Sequence, residues 1–430
     1  MKLAPGAEIE LTIDKPVAGG RMLGRHEGQV VLVAGAIPGE RVRARVERVG
    51  RGVAYAATIR VIEPDADRRE PEGDWACGGA VYAHIRYPRQ QALKSEVIAD
   101  AFARIGKLPL QNPVPVAPSE ERGYRMRARL HVRDGRIGFF REGTHDLCSA
   151  GATGQLLPAA AEVVERLAGR LGREPFDGLN SIEIAENLPA DERVLHFEID
   201  RQGHADRLER FAEIGGVSGL TYATGEDGGT RLAWGSPFVT DLVSLPAGEG
   251  APPVTVRLRH HVRSFFQGNR WLLQPLAARV LDQVPPGDVV DLYAGVGLFA
   301  VSLAALGRRS IVAVEGDRLS AADLHENAAP YGDAIDTRQM PVEEFLQREK
   351  GTPPATIVLD PPRSGMSREA VKGVLDRGAR RLVYVSCDLA TLARDVRSLV
   401  DRGYGLVHLE AFDLFPNTAH VETLAVLARP

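Results

Sequence analysis

"DVVDLYAGVGLFAVSLAAL", residues 288–306, opens with an apolar run that closes on Asp291, turns through glycine and continues as an apolar segment of helix length. Gly295, Gly297 and Ala300 fall at a G-x-G-x-x-A spacing, which lets a backbone turn tightly and bring a ligand against the first turn of a helix. Three further segments share this grammar: "SIVAVEGDRLSAADLHENA" (310–328), "ATIVLDPPRSGMSREAVKGVL" (355–375) and "RLVYVSCDLATLARDVRSLV" (381–400). Strand, turn and helix in alternation from about residue 262 predict an α/β unit, a parallel sheet with helices on both faces. The tail "GLVHLEAFDLFPNTAHVETLAVLA" (405–428) reads instead as two strands with no helix between them, an antiparallel pair at one edge of that sheet.

Ligands of open α/β sheets collect beyond the carboxyl ends of the strands, so the strand-closing residues are the candidates for chemistry. Glu315 in "VEGD" suits the hydroxyls of a ribose. With the glycine turn it indicates a nucleoside-containing cofactor, without separating a dinucleotide from a methyl donor. Asp360 in "LDPPRSG" is followed by two prolines, which remove backbone donors and stiffen the turn that holds the carboxylate. Cys387 in "YVSCD" is either a small core residue or a nucleophile; its place at the same edge favours chemistry. The helix that follows would stabilise a thiolate, and adjacent Asp388 would oppose it. Glu422 in "HVET" lies on the last strand, where it could face the same pocket as a base.

Upstream, a formal net charge of −4 gives no global nucleic-acid signature, so polyanion contacts have to come from local clusters. Residues 8–63 alternate short β-like runs with glycine turns and predict a small β-barrel. In "ERVRARVERVGRG" (40–52), Arg41, Arg43 and Arg45 share one side and Val42, Ala44 and Val46 the other, giving one cationic and one buried face. "EPDADRREPEGD" (63–74) reads as a linker. A mainly β segment follows, to about residue 260. Within it "RGYRMRARLHVRDGRIGFFREG" (122–143) sets Arg125, Arg127 and Arg129 as a guanidinium ladder outside a strand whose Tyr124, Met126, Ala128 and Leu130 point inward. Seven arginines against one acid from Arg122 to Arg141 point to phosphate contacts. Three cysteines without regular spacing argue against a disulfide framework and for a reducing compartment. An N-terminus without an apolar h-region, and no run near the roughly 20 residues needed to cross a bilayer, indicate a cytoplasmic protein.

In order and spacing, "GYRMRARLHV", "GTHD", "FFQGN", "DLYAGVGLF", "VEGD", "LDPPRSG", "YVSCD" and "HVET", behind a TRAM-like barrel, resemble the RNA uracil-5-methyltransferases over nearly the whole chain. The resemblance implies a C-terminal Rossmann-like class I methyltransferase domain (261–430), an N-terminal TRAM or OB-like barrel (1–63) and a mainly β central RNA-binding domain (64–260). Part of the last, at about 90–122, is expected to pack with the catalytic domain. It implies that Gln267, Tyr293, Gly295, Gly297, Glu315 and Asp360 bind S-adenosyl-L-methionine. Asp360 also lies near the target base, Phe265 shapes its pocket, Cys387 is the nucleophile and Glu422 the base. The expected substrate is 23S rRNA, with tRNA as the alternative, and the protein is expected to act as a monomer. A catalytically silent RNA-binding protein and a nicotinamide-dependent dehydrogenase are the competing classes. The intact Gln267, Asp360, Cys387 and Glu422 set argues against the first, and the second leaves Cys387 and Glu422 without a role.

Many relatives carry four cysteines for an iron–sulfur cluster. Here "PEGDWACGGA" (71–80) keeps Cys77, Pro71 and Ala80 replace two others, the fourth place falls near Thr153, and Cys148 is too early. Two thiols do not satisfy a four-thiolate site, so no cluster is expected and Cys77 and Cys148 read as ordinary thiols. Ala294 stands where many relatives have Cys, and Asp388-Leu389 where many have Asn-Pro.

Overall fold

The computed structural model describes residues 3–200, 208–225, 229–248, 250–349 and 351–429. Strands Glu8–Pro16, Met22–His26, Gln29–Ala34, Arg41–Val49 and Val53–Glu63 close into a barrel. Period-two alternation fills it: Ile9, Leu11, Ile13, Val31, Val33, Val42, Ala44 and Val46 point inward. Arg41, Arg43 and Arg45 point outward as their alternation requires, but the face is not a free cationic one. The neighbouring strand places Glu8 opposite Arg45 and Glu10 opposite Arg43. Arg43 and Arg45 accordingly pair with Glu10 at 2.7 Å and Glu8 at 2.9 Å, and Arg41 with Glu63 at 2.9 Å.

The acidic segment after the barrel is bolted down rather than loose. Arg68 pairs with the fully buried Glu40 at 2.5 Å, and Arg69 pairs with Glu121 and donates to Asn417 at 2.9 Å. A seven-stranded sheet follows, in the order Arg231–Gly235, Gly219–Thr224, Arg193–Ile199, Leu179–Glu186, Arg127–Arg133, Arg136–Phe140, Leu147–Cys148. The helix Pro158–Arg173 packs on it through Val163, Val164, Leu167 and Leu171.

Two expectations fail here. Cys77 and Cys148 are not free thiols: they form a disulfide across 71 residues of sequence, tying the segment after the barrel to the last strand of this sheet. Count and spacing could not show a pairing made by tertiary proximity. Cys387 is then the free cysteine. The arginine ladder also does not stand outside as a unit. Arg125 precedes the strand, and its guanidinium turns inward to Gln155 Oε1 at 2.7 Å and the Arg127 carbonyl at 2.8 Å. Arg127 donates to the Val262 carbonyl at 2.6 Å, while its Nη1 is buried without a partner among the described residues. Only Arg129 of the three is well exposed, near Glu183 at 3.9 Å.

The third sheet has eight strands, in the order Ile335–Gln339, Ile311–Glu315, Val289–Leu292, Thr356–Leu359, Arg381–Ser386, Glu422–Ala428, Gly405–Phe412, Val116–Ala117. The first five are mutually parallel, as the strand–helix alternation predicts. The tail strands are antiparallel to each other but do not form the edge: Glu422–Ala428 is inserted beside Arg381–Ser386, and the short strand Val116–Ala117 is outermost. Successive residues feed opposite faces: Val289, Val358 and Val383 one core layer, Val290, Ile357 and Leu382 the other. Helices Leu273–Asp282, Leu298–Ala305 and Arg318–Ala328 cover the first layer, joined by Val243, Leu245, Val256 and Leu258 of the ribbon Phe238–Leu245/Val254–His261. Helices Tyr87–Arg104, Val342–Arg348, Arg368–Arg377 and Leu389–Val400 cover the second. Each fully buried Val or Leu contributes about 1.5–3 kcal/mol, so both layers hold the carboxyl edge firmly. Among the described residues no helix is long and apolar enough to cross a membrane.

Candidate active site

Strand order reverses at Val289–Leu292, whose neighbours continue to opposite sides, and the crevice beyond its carboxyl end is where such sheets bind ligands. A cavity of about 750 Å³ lies there. Its walls include Phe265, Gln267, Tyr293, Gly295, Glu315, Asp360, Cys387 and Glu422, so side chains spread over 158 positions of sequence meet in one space.

The turn after Leu292 puts Tyr293, Gly295 and Gly297 at φ of 61°, 56° and 98°. Gly297 does not line the cavity. It begins the helix Leu298–Ala305, and a Cβ there would lie 2.6 Å from Val301 Cγ2, so it permits the turn instead of touching a ligand. At Gly295 a Cβ would meet nothing closer than the Phe265 carbonyl at 4.0 Å, which leaves that wall open to a ligand. Glu315 accepts from the Gly295 N–H at 2.8 Å and the Asp317 N–H at 2.6 Å. Burial raises its pKa and those backbone donors oppose the rise. It therefore fixes the glycine turn while keeping acceptor capacity toward the cavity, which fits the hydroxyls of a ribose. Asp291, one turn behind, accepts from Ala300 N–H at 3.0 Å and is pushed up to about 8 by burial.

Asp360 accepts from Gln267 Nε2 at 3.4 Å, and burial pushes its pKa up to about 7. Phe265 is 65% exposed. Its neighbours are not: Phe266 stacks on His260 at 4.5 Å, and Ser264 donates to Asp323 at 2.6 Å. The segment thus holds Phe265 out over the cavity from a fixed base.

Cys387 closes Arg381–Ser386 and is half-buried; its thiol is pushed up to about 11, by burial first and then by Glu422, while Arg363 pulls it down. Asp388 is not the charge that presses on the thiol. It caps the helix Leu389–Val400, accepting from the Thr391 N–H at 2.9 Å and hydroxyl at 3.0 Å. Glu422 is buried, and its pKa is raised well above the ordinary value by burial and by Asp360. Sequence reasoning missed Phe415, Arg263 and Glu343 in the cavity wall. The loop "DLFPN" was the available signal for Phe415, but nothing in it marked which residue turns inward. Of the three ladder arginines, Arg127 alone reaches the cavity; Arg125 and Arg129 do not line it.

Residues 255–430 match the family described as tRNA (Uracil-5-)-methyltransferase, and residues 2–59 match the TRAM domain. An RNA methyltransferase of Streptomyces coelicolor, itself uncharacterized, is 33% identical over 98% of this chain and 93% of its own length. The chain belongs to the RNA uracil-C5 methyltransferase family. A 23S rRNA (uracil(1939)-C(5))-methyltransferase, RlmD, of Pseudomonas savastanoi pv. phaseolicola is 30% identical over 99% of this chain and 95% of its own. The solved tRNA (uracil-54, C5)-methyltransferase of Pyrococcus abyssi, in complex with S-adenosyl-L-homocysteine, shares the fold. Its TM-score is 0.74 at 22% identity, over 98% of this chain and 100% of that one. The iron–sulfur site of many family members does not fit the residues present here. Cys77 and Cys148 are bonded to each other, and Pro71, Ala80 and Thr153 offer no thiolate.

Proposed function

We propose that this chain methylates C5 of uridine in RNA, 23S rRNA ahead of tRNA, with S-adenosyl-L-methionine as donor. We further propose that it acts as a cytoplasmic monomer with units at about 1–63, 64–260 and 261–430, of which part of the second, at about 90–122, packs with the third. One observation carries the reading: a free cysteine, a buried glutamate and the Asp360–Gln267 pair open onto the same cavity as the glycine turn. Relatives named for 23S rRNA, about equal to this chain in length, favour that substrate over tRNA.

In this reading Gln267, Tyr293, Gly295, Glu315 and Asp360 hold the donor, which supplies an electrophilic methyl group. Uracil C5 is too weak a nucleophile to take it unaided. Cys387 gives its proton to solvent water, with Arg363 stabilising the thiolate, and its sulfur bonds to C6 while the C5=C6 electron pair shifts toward O4. C5 of the resulting enolate takes the methyl group, and the electron pair of the broken S–C bond stays on the donor's sulfur. Glu422 then removes the C5 proton, and that electron pair restores C5=C6 and expels the Cys387 thiolate. The base has to leave its stack to reach the sulfur. Phe265 shapes its pocket, and Arg127 lines the same cavity.

The test is incubation with methyl-labelled donor and separate tRNA and rRNA pools, followed by digestion to nucleosides. Labelled 5-methyluridine from rRNA, absent with Cys387→Ala, is expected. Label in tRNA alone would reassign the substrate, and none in either pool, with both proteins alike, would leave the RNA-binding alternative.

A further inference from the structure

Lys94 is the one fully buried lysine among the described residues. It sits on the helix Tyr87–Arg104, far from the cavity residues in sequence, and pairs with Asp413, their side chains 1% and 0% exposed. The same amino group donates to the Phe415 carbonyl at 3.1 Å. Residues 413–418, the first part of the 413–421 connection between the two tail strands, are held along their length. The Asp413 N–H donates to the Ala117 carbonyl at 2.9 Å, and the Leu414 carbonyl accepts from Asn269 at 2.9 Å. Asn417, at a left-handed φ of 63°, exchanges two 2.9 Å hydrogen bonds with Gln90. The loop projects Phe415 into the cavity wall and leads through Ala419, His420 and Val421 to Glu422.

Burying an ion pair is a poor way to gain stability, since apolar residues of the same volume generally do as well or better. A pair kept at this position therefore points to a demand on geometry. We propose that Lys94, through Asp413 and the Phe415 carbonyl, is a positioning residue for uridine methylation: it fixes Phe415 at the base-binding end of the cavity and sets the approach of Glu422 to uracil C5. The proposal rests on the uridine-C5 reading above, and it predicts that disturbing Lys94 slows the proton-removal half of the reaction more than thiol addition or donor binding.

Four variants test it: Lys94→Met, Lys94→Met with Asp413→Leu, Lys94→Arg and Phe415→Ala. Each is measured for unfolding midpoint, donor affinity, single-turnover 5-methyluridine formation and the fraction of RNA bound covalently to protein. Lys94→Met strands the Asp413 carboxylate and should lose both stability and activity. The double variant removes that stranded charge and should recover its midpoint and donor affinity. It should nevertheless stay slow, on the order of a hundredfold, with covalent RNA accumulating. Phe415→Ala, which leaves the ion pair intact, should accumulate covalent RNA in the same way, and Lys94→Arg should recover part of the rate. A double variant as fast as wild type, or Phe415→Ala indistinguishable from wild type, would overturn the proposal. Wild-type protein that forms no 5-methyluridine would instead overturn the reading on which it rests.

Discussion

At the carboxyl edge of the eight-stranded sheet, Asp360, Cys387 and Glu422 sit in a partly enclosed cavity where burial raises all three pKa values and Arg363 offers a counter-charge. On the barrel surface the arrangement is reversed: Arg41, Arg43 and Arg45 are half-exposed and lie against acids of neighbouring strands. Surface pairs of that kind are easily made and easily replaced. Burial disfavours ionisation of all three acidic groups confined there, and such perturbation concentrates where chemistry is done. The local density of charged residues is therefore a poor guide to function in this chain; their burial around one shared cavity is a better one.

The comparison can be broken first at the cavity. Glu422→Gln should lower turnover by about 10²–10⁴-fold while covalent protein–RNA complex builds up on a denaturing gel; unchanged turnover would remove the edge's special status. The next effect is on pH. Only the thiolate of Cys387 attacks, and with its pKa pushed up to about 11 the thiolate fraction grows as protons are withdrawn. Adduct formation, trapped on RNA carrying 5-fluorouridine, should rise by up to about tenfold per pH unit across the neutral range. A flat profile would mean that RNA binding resets the thiol.

On the arginine side the effects are smaller and separable. Arg125→Ala removes an inward donor to Gln155 and should cost about 1–2 kcal/mol of stability with RNA affinity little changed. Arg129→Ala should leave the unfolding midpoint alone and reduce the salt slope of RNA binding by about 0.7–0.9. Least of all, Glu10→Gln releases Arg43, while Arg41 keeps Glu63, and should tighten RNA binding by about twofold, seen at low salt and gone at high salt.

The parallel sheet and most of its edge were legible because backbone geometry constrains them. A strand end, a glycine turn and a helix start put Gly295, Glu315, Asp360 and Cys387 on one side of the sheet whatever the rest of the chain does. Gly297 was legible as a glycine that must be there, but not as one facing a helix instead of a ligand. Alternation told which way Arg43 and Arg45 point, and it could not tell that Glu10 and Glu8 lie opposite, because that register comes from the barrel's closure. Three facts were set by distant segments meeting: the Cys77–Cys148 bond, the inward turn of Arg125, and the insertion of Glu422–Ala428 into the sheet's interior. No local pattern records them. Asp388 is the mixed case, since an acid one residue before a helix is an N-cap signal that was available beside its reading as a charge.

That late inserted strand also has a temporal side. The barrel, made from residues 8–63 with largely local pairings, leaves the ribosome before the strand that carries Glu422. A nascent chain halted before residue 422 would already own its glycine turn and its cysteine, yet the sheet would have a gap between Arg381–Ser386 and Gly405–Phe412. Until that strand is made, the cavity lacks the wall that carries Glu422.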